Sequence, residues 1–142
     1  MSLLAQAVAA VADDTSARQP CCDLLEKIQT QMQEALTIWQ AHSAAPMEQD
    51  ARRSVTTLVR PEAAKRLSDL HYQTRDAARA LMDLTGVPFI DTFDLCDELA
   101  IELAYRQLKL GETIPYVCVK AVETQQRRLH AVEQAVRDLR PS

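Results

Sequence analysis

Asp94, Glu98 and Glu102 stand four residues apart in the run IDTFDLCDELAIELAYRQLKLG (90–111). On a helix that spacing stacks three carboxylates in one column. Oxygen donors in line suit a hard cation, and a column facing a second acidic helix could hold Mg²⁺ and through it a phosphorylated or nucleotide substrate. A second series does exist: Glu62, Asp69, Asp76 and Asp83 recur at seven-residue spacing. His71 and Arg75, on the same stretch, could steady a phosphate. The plainer reading makes each column a solvated helix edge with neighbours of opposite charge, such as Glu62 and Arg66. That reading is preferred, and a Mg-dependent all-helical enzyme is kept as the alternative.

Other chemistry finds less support. A di-iron centre in a helical bundle needs Glu-x-x-His pairs, and no glutamate here has a histidine three residues on. Histidine phosphotransfer needs an exposed histidine with lysine and glycine close by. His71 lies in LHYQTRDAA, which has neither, so that function is the weaker alternative. There is no Gly-x-Ser-x-Gly, and glycines only at 86 and 111 leave no phosphate-cradling loop. The four cysteines form no CxxC pair, which speaks against zinc. Cys21, Cys22, Cys96 and Cys118 read as reduced, small apolar residues of a cytoplasmic protein. Asp97 projects toward an apolar arc and reads as a first-turns aspartate favoured by the helix dipole. No residue is assigned a catalytic role, and no cofactor is expected outside the Mg²⁺ alternative.

Composition sets the frame for these groups. The 142 residues suit one domain, and 47% apolar content is enough for a packed interior. Two glycines and 4% aromatics are too few for an all-β protein, whereas Ala, Leu, Gln, Glu and Arg favour helix. A net charge of −4 argues against nucleic acid as a partner. The basic cluster Arg52, Arg53, Arg60, Lys65 and Arg66 is interleaved with Glu48, Asp50, Glu62 and Asp69. No run of 18 apolar residues could span a membrane. The opening MSLLAQAVAAVADD lacks a basic start and reads as a short helix rather than a signal peptide.

Periodicity then places the elements. Residues 2–12 form a short helix with Leu4, Val8 and Val11 inward. Ser16 and Gln19 have capping-box spacing, with Pro20 in the first turn of a helix over 17–42. Cys21, Leu25, Ile28, Met32, Ala35, Trp39 and His42 alternate four and three apart, a heptad seam. Pro46 opens an accessory helix over 46–59. Pro61 starts a helix over 61–85 with the seam Ala63, Leu67, Leu70, Thr74, Ala77, Leu81 and Leu84. The 90–111 run has Asp91 as N-cap, Ile90 and Leu95 as a hydrophobic staple, and Gly111 as C′ residue. Its apolar positions cover more than half the circumference, so the helix over 91–110 is expected at the centre. Pro115 begins the last helix, 115–139, whose seam is Cys118, Val122, Gln125, Leu129, Val132, Val136 and Leu139.

The fold expected is all-α: an antiparallel four-helix bundle with two shorter accessory helices. A competing local reading pairs SVTTLV (54–59) with IPYVCV (114–119) as a small β-ribbon. Thr74, Gln107 and Gln125 put polar groups where the seams ask for apolar ones. Thr74 and Gln125 fall at similar depth on helices that would run parallel, so a buried polar layer could fix register there. Absent catalytic chemistry and an excess of apolar helix surface point to a protein-interaction or oligomerisation module, with a protein partner or a homodimer as its complex.

Overall fold

The computed structural model describes residues 2–49, 61–91 and 115–140, with side chains for 2–41, 62–63, 65–91 and 122–140. Within these residues the protein is all-α, with four helices packed together: α1 (Leu3–Val11), α2 (Thr15–Gln49), α3 (Pro61–Thr85) and α4 (Pro115–Leu139). Residues 92–110 and 54–59 lie outside the described residues, and with them the expected central helix and most of the second accessory one. The stretch 115–119 is the start of α4 rather than a ribbon strand. None of the described helices is long and apolar enough to cross a membrane.

Among the described helices, α2 is the one that packs extensively on both α3 and α4. Arg18 of α2 meets Leu139, and Gln125 meets Met32, so α4 runs antiparallel to α2. Glu34 meets Arg66 and Gln31 meets Thr74, so α3 is antiparallel to α2 as well. The reason lies in the α2 sequence. Cys21, Leu25, Ile28, Met32 and Trp39 are each at most 1% exposed, while Cys22 and Leu36 on one flank are also buried. That stripe is wider than a two-helix seam requires, and it accommodates α3 and α4 on opposite flanks.

The short α1 is a core element rather than an accessory. Ser2 caps its start, accepting the Ala5 N–H at 3.0 Å. Leu4, Ala7 and Val11 are buried and Val8 half-buried, and α1 touches all three long helices. Nine residues cannot hold a helix in water alone, so docking through this face is what stabilises it.

Two boundaries of α2 differ from the spacing-based expectation. Asp14, not Ser16, is the cap: its Oδ1 accepts the N–H groups of Ser16 (3.0 Å) and Ala17 (3.2 Å) and the Ser16 hydroxyl (2.7 Å). An aspartate reaches two orphan donors at once, which a serine hydroxyl does not. The helix therefore starts at Thr15, and Pro20 sits in its second turn on an exposed face. At the other end helical backbone continues past His42 to Gln49. Pro46 removes one backbone donor without ending it there.

After Thr85 the chain turns on Gly86, whose φ of +74° is a left-handed value that glycine adopts without Cβ strain. The Gly86 N–H bonds back to the Met82 carbonyl at 2.8 Å. Three residues on, Phe89 has φ +67° and is 59% exposed, while its neighbour Ile90 is fully buried.

Candidate functional site

Three polar side chains are buried among the described residues: Gln31, Thr74 and Gln125. The Thr74 hydroxyl donates to Gln31 Oε1 at 3.1 Å, joining α3 to α2. From the other side, Gln125 Nε2 donates to the Met32 carbonyl at 3.3 Å, joining α4 to α2. Adjacent residues of α2 thus receive one polar side chain from each flanking helix at one level. Each group has a partner, as burial requires. Gln31 is the member that the seam pattern passed over. It lies on a second line, Leu24, Ile28, Gln31, Ala35 and Ile38, with the same alternating spacing, and through Gln31 that line meets Thr74 of α3.

The phosphate candidates stand apart from this layer. His71 is half-buried on α3, its ring edge-on to Tyr72 at 5.4 Å between centroids, and Arg75 is exposed. Glu62, Asp69, Asp76 and Asp83 are all exposed. Asp94, Glu98, Glu102 and Gln107 lie outside the described residues. Among the described residues, no group of three or more His, Cys, Asp or Glu side chains is arranged to hold a metal ion.

Trp39 is 1% exposed, and its indole Nε1–H has no hydrogen-bond partner among the described residues. Cys21 and Cys22 are free and buried. Burial, and then the neighbouring Cys22 thiol, push Cys21 up to about 11. Burial is also the chief cause that raises Cys22, with the Glu26 carboxylate acting the same way. Thiols held protonated in this manner are poor nucleophiles.

Ion pairs fasten the flanks of α2. Arg66 grips Glu34 through Nε and through Nη2, the latter at 2.7 Å, and this hydrogen bonding holds the Glu34 carboxyl below its ordinary value. Arg140 reaches Glu26 at 3.1 Å. Between these pairs the outer strip of α2, from Glu26 to Ile38, floors an open groove of about 630 Å³. The Thr30 and Thr37 hydroxyls turn back to the Glu26 and Gln33 carbonyls, so neither hydroxyl proton is offered to the groove.

Arg18 makes a longer-range connection. Its Nε donates to the Leu139 carbonyl at 3.0 Å and its Nη1 to the Ala12 carbonyl at 2.9 Å. One guanidinium therefore serves the C-terminal ends of α1 and α4, whose last carbonyls have no partner within their own helices. Nothing in the local sequence announces this role, because the partner lies 121 residues away.

Comparison of the chain with protein-family models, curated proteins and solved structures returns no match.

Proposed function

We infer that this chain is a non-catalytic helical module that works by binding protein, in the first instance a second copy of itself. The reading takes the architecture as an antiparallel helical bundle with α1 as part of its core, and the antiparallel run of α3 and α4 against α2 supports it. The observation that carries the functional part is Phe89. A left-handed backbone at a bulky residue costs about 1–2 kcal/mol. Phe89 holds this conformation with 59% of the residue exposed, and the buried Ile90 beside it fixes where the ring is presented. Aromatic side chains displayed in this way serve as anchors at interfaces. Tyr72, 53% exposed on α3, is a second exposed aromatic surface.

Light scattering at micromolar concentration tests the reading, with an expected mass near twice 15.9 kDa. Phe89→Asn keeps a residue that tolerates positive φ, so the fold survives while the dimer weakens about tenfold or more. A wild-type chain that scatters as a monomer across the micromolar range would end the self-association reading.

A further inference from the structure

We propose that the cavity between the first turns of α2 and the last turn of α4 binds a phosphate-type dianion. The cavity has a volume of about 700 Å³ and is lined by Arg18, Arg137 and Arg140, with Asp138 as the one carboxylate among the described lining residues. That is a local excess of positive charge on a chain whose net charge is −4.

Cations are welcome at helix C-termini, and this alone could account for one arginine. Arg18 already does that work for both α1 and α4 through Nε and Nη1. Arg137 and Arg140 bring further charge to the same cavity that the carbonyl ends do not require. Arg137 spends one nitrogen on Gln134, at 2.9 Å, and Arg140 spends Nε and Nη2 on Glu26. Each of the three guanidinium groups thus retains N–H donors beyond those the described hydrogen bonds use. The Asp138 carboxylate accepts from Gln134 Nε2 at 2.9 Å and sets one negative charge against the three guanidinium groups.

Like charges gathered around one cavity repel, and an anion relieves that repulsion while meeting planar donor forks shaped for phosphate oxygens. Arg18 contributes a guanidinium already fixed by two backbone carbonyls, so ordering it on binding costs little. The start of α2 adds nothing of its own, because Asp14 takes its Ser16 and Ala17 N–H groups. A volume of this size admits a phosphorylated small molecule as readily as inorganic phosphate. The phosphate chemistry that the sequence suggests for His71 and Arg75 is thereby assigned elsewhere in the fold.

The test is thermal unfolding of the full chain in inorganic phosphate against chloride at matched ionic strength. At tenfold excess over the dissociation constant, phosphate should raise the wild-type midpoint by about 3–6 °C over chloride. The double variant Arg137→Gln/Arg140→Gln should lose that difference. The charge-matched control Arg79→Gln/Arg127→Gln, at exposed positions outside the cavity, should keep it. Should the Arg137/Arg140 double variant not fold, calorimetric titration of wild type and control with phosphate reads the same site. No phosphate-specific shift in the wild type, or equal loss in the control, would overturn the proposal.

Discussion

Replacing Thr74 with valine is the sharpest probe of the polar layer. The change is nearly isosteric, but it deletes the hydroxyl that donates to Gln31 Oε1 at 3.1 Å. Gln31 is 8% exposed, so water cannot readily replace that donor, and an orphaned buried acceptor costs about 1–3 kcal/mol. The reverse change, Gln31→Leu, should cost only about 0.5 kcal/mol, because the Thr74 hydroxyl can turn back to its own helix carbonyl. With both residues apolar no polar atom is stranded, so the double variant should lie within about 0.5 kcal/mol of wild type. The single changes would then overpredict the double by about 1–3 kcal/mol, the signature of a direct contact. Urea unfolding followed by far-ultraviolet circular dichroism measures all four proteins. If the layer also selects helix register, the double variant should unfold with a shallower denaturant dependence despite its near-native stability in water. Thr74→Val within 0.3 kcal/mol of wild type, or strictly additive effects, would refute the reasoning.

Arg18→Ala removes two charge-assisted bonds; half-exposed, they sit at the lower end of their range, and a loss of about 2–3 kcal/mol should lower the thermal midpoint by about 4–12 °C. Arg18→Lys should recover less than half, since one ammonium cannot span two carbonyl ends as a planar fork does. The buried thiol predicts the response to alkali. Because the folded value of Cys21, about 11, lies above its ordinary 9.0, the stability it contributes is complete below pH 9 and is lost as pH rises through 11. That loss amounts to about 2–3 kcal/mol, and Cys21→Val should flatten this part of the pH profile in chemical unfolding.

The long seams were legible from spacing because a heptad pattern is written locally. Leu67, Leu70, Thr74, Ala77 and Leu81 on α3 are buried, as are Leu129, Val132, Val136 and Leu139 on α4. The arrangement of helices was less legible. Breadth of apolar surface marked 90–111 as the centre, a stretch that lies almost wholly outside the described residues; among those residues α2 packs on both α3 and α4 through the wide stripe around Cys22, Leu25 and Leu36. The small α1 looked peripheral because nine residues with several alanines carry little periodic signal, yet small side chains are what let it seat closely. Thr74 and Gln125 were visible as polar interruptions of a seam. Gln31 was hidden because it stands on the flank of its own seam, and its partner belongs to another helix. The Arg18 bonds and the Phe89 backbone depend on tertiary placement, which no single-helix pattern encodes.

Arg18 also bears on how the molecule opens. Amide hydrogens of α1 and of the last turn of α4 lie more than a hundred residues apart in the chain, yet one guanidinium ties the two helix ends together. Exchange with solvent deuterium in these two places should therefore proceed as a single cooperative event, with matched protection that neither short segment would reach by itself.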